Sequence, residues 1–348
     1  MIKYPLISIV MVNYNGLHFL KACLPTIYKN NYPRFELILV DNNSKDNSVQ
    51  YIEQRFPQIK IVQNKKNEGF AEANNIGYSK SKGKYILFLN NDTKVTKNFL
   101  SELVKGFDDN KKIAGFQSKI LLMDDLRYLD SVGSFLTHSG FLYHYGANKR
   151  DSKKYNKQIP IFSAKGASMV FRKDVLEKTS LNGNVFDSDY FAYFEETDLC
   201  HRIWLAGFNI EYLPTALIYH KGGGTSRNMD SSFIQYHSFK NRINTYIKNL
   251  SFKTLLWYIP FHLCMVEIFA LFSLLRLNMP MFFTLQKAIA WNVFTLKHTL
   301  KKRQQVQLHI RKISDRELFS QVMVKVGLSY YLDLPFGLKR FKDLDLQK

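Results

Sequence analysis

The sequence predicts an α/β fold: a mainly parallel central sheet covered by helices, with a helical extension at its C-terminal end. Three observations predict it. Short apolar runs alternate with helix-like segments through the first third of the chain. Asn, Asp and Ser gather just after each run. The last third changes to long apolar stretches beside a basic run.

Residues 6–14 (LISIVMVNY) are rich in β-branched side chains and stop at Asn15-Gly16. Helix-like sequence follows over residues 18–29. Residues 35–40 (FELILV) form a second buried-type strand that ends at Asp41. Residues 46–56 read as helix, 59–62 as a short third strand, 70–82 as helix and 85–89 (YILFL) as a fourth strand. Strands separated by helices pair in parallel, with helices on both faces. In such sheets ligands bind beyond the carboxyl ends of the strands. Polar residues stand there each time: Asn13, Tyr14 and Asn15; Asp41, Asn42, Asn43 and Ser44; Asn64 and Asn67; Asn90, Asn91 and Asp92. Turn formation explains any one cluster. Four on one sheet edge favour a binding crevice.

The middle of the chain is more mixed. Residues 135–145 carry aromatics around Gly140, as a hairpin or lid would. Residues 162–171 (FSAKGASMVF) read as a strand with small residues at its centre. Leu199, Cys200, Ile203 and Trp204 repeat at helical spacing, and Gly207 suits the helix end. Glu195 and Glu196 then sit at or just before the helix N-terminus. Residues 209–219 return as extended chain and deliver His220 and Lys221.

Residues 255–275 are largely apolar and long enough to span a bilayer, but Pro260, His262 and Glu267 interrupt them. These interruptions argue for an interfacial or protein-packed helix. A second apolar segment covers residues 281–296. Residues 297–316 hold seven Lys or Arg against one Asp. An apolar helical pair beside a basic run suits attachment to an anionic cytoplasmic leaflet. An ordinary helical subdomain with a solvated basic face is the alternative. The division expected is 1–228 for the catalytic unit and 229–348 for the helical region.

With 46% hydrophobic and 22% charged residues, the chain has globular composition. A net charge of +20 favours anionic partners: nucleotide phosphates, nucleic acid or acidic lipid. There is no zinc-finger spacing and no aromatic-basic RNA-binding signature, so nucleic acid is not expected. Cys23, Cys200 and Cys264 are too few and too scattered for a disulfide framework or metal cluster. The opening residues lack a signal-peptide pattern. The expected location is cytoplasmic, peripheral or monotopic on the inner membrane face.

No G-x-G-x-x-G follows the first strand, and residues 77–85 (GYSKSKGKY) lack P-loop spacing. An ordinary dehydrogenase or ATPase is therefore not expected. Carboxylates remain. Asp41 suits a base or ribose. Asp92, after a buried strand, suits Mg²⁺ or Mn²⁺ bridging two phosphates. Glu195, Glu196 and Asp198 form a second acidic group, where a carboxylate is able to take a proton from an acceptor hydroxyl. Favourable charge at a helix N-terminus is the competing explanation for these three.

Across about residues 5–225 the sequence resembles family 2 glycosyltransferases of the GT-A fold, in a rhamnosyltransferase-like subgroup. The resemblance is carried by residues 7–16 (ISIVMVNYNG), 38–43 (ILVDNN), 67–77 (NEGFAEANNIG) and 87–95 (LFLNNDTKV). It continues through 166–172 (GASMVFR), 186–202 (FDSDYFAYFEETDLCHR) and 214–220. It implies that Asn13 and Tyr14 border the nucleotide and that Asp41 and Asn43 belong to its site. Gly69, Phe70 and Asn74 would line the nucleotide-sugar side. Asn90, Asn91 and Asp92 occupy the place of the metal-binding D-x-D. Glu196 matches the catalytic base, and His220 a position that completes metal binding. Two departures stand out. Asn90 replaces the first D-x-D carboxylate. The base position holds Glu where Asp is common, so Glu195 or Asp198 would be placed to share the role. The implied activity is inverting, non-processive transfer from a nucleotide-diphosphate sugar to a glycan or lipid-linked glycan in cell-surface polysaccharide synthesis. The rivals are a sugar nucleotidyltransferase, which leaves the late acidic group unexplained, and a processive synthase, whose Q-x-x-R-W motif is missing.

Overall fold

The apolar runs of the first third form β1 (Ile7–Asn13), β2 (Phe35–Asp41), β3 (Lys60–Gln63) and β4 (Tyr85–Leu89). The structure is a computed structural model and describes residues 4–107, 110–222, 230–333 and 343. Helices α1 (Leu17–Tyr28), α2 (Ser48–Arg55) and α3 (Gly69–Ser79) link these strands. β1 pairs in parallel with β2 and β4, and β2 with β3. A helical crossover permits this direction, whereas a tight turn joins only antiparallel neighbours. Both faces of β1 are covered. Ile7, Ile9 and Met11 enter one core with Leu20 and Leu24, while Val10 enters the other with Phe88 and Phe171. Burial on both faces is why these strands read as continuous apolar runs.

The chain continues through β5 (Thr93–Val95), α4 (Phe99–Gly106), β6 (Ile113–Leu122) and β7 (Asp125–Ser131). A hairpin of β8 (Gly133–Leu136) and β9 (Leu142–Tyr145) follows, then β10 (Ile159–Pro160), β11 (Ser168–Arg172) and α5 (Lys173–Thr179). Then come α6 (Glu195–Leu205) and β12 (Asn209–His220). The ten-stranded sheet runs β10-β12-β6-β11-β4-β1-β2-β3, with β5 on β12 and β7 on β6. It is mixed and mostly parallel. β11 runs antiparallel to both neighbours, β4 and β6.

The strand expected over residues 162–171 is shorter, and only β11 belongs to the sheet. Phe162 N donates to Ser134 O (2.9 Å) and Ser134 N to Ser163 O (3.0 Å). Lys165 N donates to Gln117 Oε1 (2.7 Å). These long-range partners draw the segment away. It turns where Ser168 N meets Lys165 O (3.2 Å). The segment over residues 135–145, expected as a hairpin or lid, is a hairpin of β8 and β9.

The C-terminal third forms α7 (Ser231–Asn249), α8 (Phe252–Leu275), α9 (Met279–Phe294), α10 (Leu296–Gln305), α11 (Asp315–Val322) and α12 (Leu328–Asp333). The 228/229 division lies outside the described residues. Ser251, Asn278 and Ser314 cap α8, α9 and α11 by accepting from Thr254, Met281 and Glu317 backbone N–H groups. Ser314 with Glu317 has the spacing of a capping box.

α8 buries one stripe: Thr254, Tyr258, His262, Val266 and Ala270. Four-residue spacing puts them on one helix face. The polar groups that interrupt the apolar stretch have protein partners. Tyr258 Oη donates to Thr137 O (3.1 Å), and His262 Nδ1 to Ser139 O (2.7 Å). Gln286 Nε2 donates to Glu267 Oε2 (2.9 Å). α8 is the one helix among the described residues long and apolar enough to cross a membrane, with 22% of its apolar window buried.

The basic run is only partly a surface feature. Lys302 is buried against Asp187 and Asp189. Arg303 donates to Ile247 O and Leu250 O, and Arg311 pairs with Asp315 (2.8 Å). Lys297, Lys301, Lys312 and Arg316 remain exposed.

Candidate active site

The four polar clusters converge on one sheet edge. They border a crevice of about 370 Å³ at the carboxyl ends of β1 and β4. Strand order reverses at β1, which is where open α/β sheets bind ligands. Tyr14, Gly69, Phe70, Asn90, Asn91, Asp92, Glu195, Glu196 and His220 all line it. The sequence placed these residues in several separate motifs, and the fold brings them together.

Other sequence-predicted residues lie behind the wall. Asn13 is fully buried; its Nδ2 donates to Asp41 Oδ1 (3.0 Å), and its Oδ1 accepts from Asn91 Nδ2 (2.8 Å). Asp41 is itself held by Ser44, through N–H to Oδ2 (3.0 Å) and Oγ to Oδ1 (2.6 Å). Both residues thus brace the crevice floor. Asn74 is buried in α3 and donates to Phe70 O (2.8 Å). Asn43 takes a left-handed turn after β2, with φ +64°. Neither is among the lining residues.

The structure does not bring Asp198 to the crevice. Its carboxylate is fully buried and meets Arg202 (3.0 Å), Lys248 (2.9 Å) and Asn249 (3.0 Å). Arg202 and Lys248 hold it below the usual carboxylate range, despite burial. One helical turn separates Glu195 from Asp198, and the two ends of that turn face opposite environments. Its shared role with Glu196 is therefore corrected: Asp198 is a buried ion-pair partner.

Glu195 and Glu196 open α6 after two strained residues. Tyr193 (φ +67°) and Phe194 (φ +72°) both adopt the left-handed region that side chains disfavour. Asn241 Nδ2, from α7, holds this backbone by donating to Ala192 O (3.0 Å) and Tyr193 O (2.6 Å). Gly69 allows the opposite wall to close. Its φ is +81°, and a Cβ there would lie 2.4 Å from Phe191 O. Phe70 N donates to that same oxygen (2.6 Å).

The two glutamates touch through their carboxyl groups. Burial pushes Glu195 well above its ordinary value, and the neighbouring Glu196 charge pushes it further. Burial raises Glu196 too, opposed by Lys165 and by a hydrogen bond from Glu195. Burial and the close approach of the two carboxyl groups thus disfavour two charges at this pair. One oxygen of each, Oε2, is buried without a hydrogen-bond partner.

Asp92 and His220 meet across the β4 and β12 ends. His220 Nε2 lies 3.2 Å from Asp92 Oδ1. The approach is misaligned for a hydrogen bond, so Asp92 Oδ1 stays buried without one. His220 Nδ1 contacts Asp130 Oδ2 (2.7 Å), and Asp130 Oδ1 takes Lys165 Nζ (2.7 Å). Burial opposes a charged His220, but Asp130 and Asp92 outweigh it and raise its pKa. Among the described residues, no group of three or more His, Cys, Asp or Glu side chains is arranged to hold a metal.

Lys165, Asp130, Asn42 and Asn67 complete the neighbourhood. Asn42 and Asn67 stand in the strand-end clusters. Lys165 and Asp130 carry no motif signal, because they reach the site through a turn and an antiparallel strand. A second cavity, about 280 Å³, adjoins the crevice. Lys165, Tyr193 and Glu196 line both. Glu196 is the carboxylate common to the two.

The family model for glycosyl transferase family 2 matches residues 8–179. Rhamnosyltransferase WbbL of Escherichia coli (strain K12) is 31% identical over 183 residues, covering 49% of this chain and 67% of that protein. The chain belongs to glycosyl transferase family 2. It is accordingly a glycosyltransferase. Glycosyltransferase GlyG of Streptococcus pneumoniae is 25% identical over 227 residues, 63% of this chain and 72% of that protein. An uncharacterised Sinorhizobium fredii protein is 23% identical over 240 residues, 65% of this chain. This family 2 chain spans only 26% of that longer relative.

Solved structures share the GT-A fold. GalNAc-T7 with UDP, GalNAc and Mn²⁺ superposes at a TM-score of 0.55 and 16% identity, over 71% of this chain and 48% of that one. Mannosyltransferase PcManGT from Pyrobaculum calidifontis, in complex with GDP-Man and Mn²⁺, gives 0.52 and 16%, over 84% and 88%. The likeness at such identity is one of fold.

Proposed function

We propose that this glycosyltransferase moves a sugar from a nucleoside-diphosphate donor to an acceptor hydroxyl with inversion, one residue at a time. The observation that carries the reading is Glu196, the carboxylate shared by the crevice and the adjoining cavity. The donor occupies the crevice and the acceptor enters from the cavity. Glu196 takes the acceptor proton as the oxygen attacks the anomeric carbon. Attack comes from the face opposite the departing diphosphate. No enzyme nucleophile is needed, and inversion follows. Glu195 lies beside Glu196, and its carboxyl is pushed up by burial and by that neighbour.

A divalent cation, Mg²⁺ or Mn²⁺, fits beside Asp92. The unpartnered Asp92 Oδ1 offers a hard oxygen, and His220 offers Nε2 while Asp130 orients its other nitrogen. When bound, the ion would neutralise charge on the leaving diphosphate. The two solved neighbours named above were obtained with Mn²⁺ together with UDP and GalNAc or with GDP-Man, which supports a divalent cation here.

The acceptor is a glycan or lipid-linked glycan of a cell-surface polysaccharide, and rhamnose is the sugar suggested by WbbL. Work on a cytoplasmic membrane face agrees with the exposed apolar side of α8. The test is a panel of nucleotide sugars scored for nucleoside-diphosphate release with and without Mn²⁺. Glu196→Gln should lower transfer about a hundredfold or more while donor binding persists. Near-normal transfer by a folded Glu196→Gln protein removes Glu196 as the base.

A further inference from the structure

Arg242 is a half-buried cation that the chemistry at Glu196 leaves unused. It sits on α7 with its guanidinium over three rings: Phe141 (4.8 Å), Phe239 (5.1 Å) and Phe194 (5.2 Å). Nε and Nη1 are buried and have no hydrogen-bond partner. Burial lowers its pKa, and the groups that oppose this are tyrosines, not carboxylates. Ring faces attract a guanidinium but do not satisfy its N–H donors. Charged groups kept inside proteins are normally paired. A cation left this way is poised for an anion that arrives from outside.

Its location narrows the anion. Arg242 lines the 280 Å³ cavity that also holds Glu196. It equally lines a groove of about 370 Å³ between α7, α8 and α9. Phe239, Phe269, Phe272 and Met281 wall that groove, with Gln235 and Arg276 among its polar lining. The order is therefore base, cation, and a groove with aromatic and aliphatic walls. α8, whose other face is exposed and apolar, forms one side of it.

We infer that Arg242 binds the anionic group of an amphiphilic acceptor, a phosphate ester whose hydrocarbon tail lies in the α7–α9 groove. This rests on the reading of Glu196 as base, and it names the chemistry of the acceptor. A guanidinium supplies paired N–H donors to phosphate, and a flexible apolar groove supplies tail contacts. The hydroxyl to be glycosylated would then extend from the phosphate side toward Glu196.

The experiment is a binding titration of the full chain with dodecyl phosphate below its micelle concentration. Inorganic phosphate and dodecyl maltoside serve as the two comparison ligands. Dodecyl phosphate should bind more tightly than either. Arg242→Gln should weaken it roughly ten- to a hundredfold, the range of a lost charge-assisted hydrogen bond. Arg242→Lys should restore part of the loss. Arg242→Gln should melt no lower than wild type, since it relieves an unpaired charge. Inorganic phosphate binding as tightly as dodecyl phosphate would overturn the groove assignment. Unchanged dodecyl phosphate binding in Arg242→Gln would overturn the role of Arg242. The titration reads binding without turnover, so the two readings separate. Arg242-dependent binding with no nucleoside-diphosphate release from any donor leaves this inference standing and fails the transferase mechanism. Release with Arg242-independent binding does the reverse.

Discussion

At the residue scale, Glu196 depends on neighbours that no linear motif contains. Lys165 arrives by the turn before β11, and its charge opposes the burial that raises Glu196. A base must lose its proton before it acts, so a raised pKa moves the acid limb of kcat/KM upward. That limb should lie above the ordinary glutamate value of about 4.3. Lys165→Met removes the attraction that favours the carboxylate, so its limb should move to still higher pH. A pH–rate profile checks both. An unmoved limb in Lys165→Met would show that Lys165 does not act on the base. The strain at Tyr193 and Phe194 belongs to this scale too. It costs on the order of 1–3 kcal/mol per residue and aims both glutamates at the crevice.

At the element scale, the loop before α6 is held by the C-terminal helices. Lys248 of α7 is fully buried between Asp187 and Asp198, and Lys302 of α10 joins Asp187 and Asp189. Tyr190 Oη reaches Asn244 Oδ1 (2.9 Å) and Thr245 Oγ1 (2.7 Å) on α7. Lys248→Met leaves buried carboxylates short of a partner and should cost about 3 kcal/mol or more. Urea unfolding measures it, and a cost below about 1 kcal/mol would remove the network from the account. Asp187 and Asp198 are both held below the usual aspartate value by these lysines. Their contribution is complete above the unfolded value of about 3.9 and disappears as pH falls toward the folded values. Wild type should therefore lose stability steeply below about pH 4, and Lys248→Met less steeply.

At the scale of the whole molecule, one side is apolar and exposed. Leu256 (64%), Leu271 (54%) and Leu275 (83%) on α8 are exposed, as are Phe283 (54%) and Phe294 (87%) on α9. Scattered exposed leucines are ordinary, but a run of this kind marks a docking surface. Exposed Lys297 and Lys301 lie next to it in sequence. Vesicles with anionic lipid should sediment the protein, and neutral vesicles should do so more weakly. Leu256→Asp with Leu271→Asp should release it without altering the fold, since both side chains face outward. Equal sedimentation of that double variant would mean that this face does not meet the bilayer.

Much of the fold is legible in the residue pattern. Buried parallel strands are continuous apolar runs, and helices of 3.6-residue period repeat between them, so β1 to β4 and α1 to α3 announce themselves locally. The clusters at their ends follow, because a parallel sheet collects every strand terminus on one edge. Asn13 and Asp41 stand at strand ends, but only the structure shows that they are buried and bonded to each other behind the lining, since sequence does not say which side of a turn faces solvent. The residue 162–171 segment and the C-terminal clamp depend on distant partners, more than a hundred residues away for Lys302 and Asp187. No local pattern encodes such pairings.

The crevice was thus determined by the sequence itself: strand-end polar clusters and a paired Glu195-Glu196 at a helix start. Tertiary structure alone decided which carboxylates face it. Asp198 turned inward because Lys248 and Arg202 compensate its burial, while Glu195 and Glu196 kept buried oxygens without partners. It also decided that Lys302, Arg303 and Arg311 are structural and that Arg242 is unpaired. The reason is physical. Propensity and periodicity act over a few residues, whereas charge compensation depends on which distant groups the packed chain brings within a few ångströms.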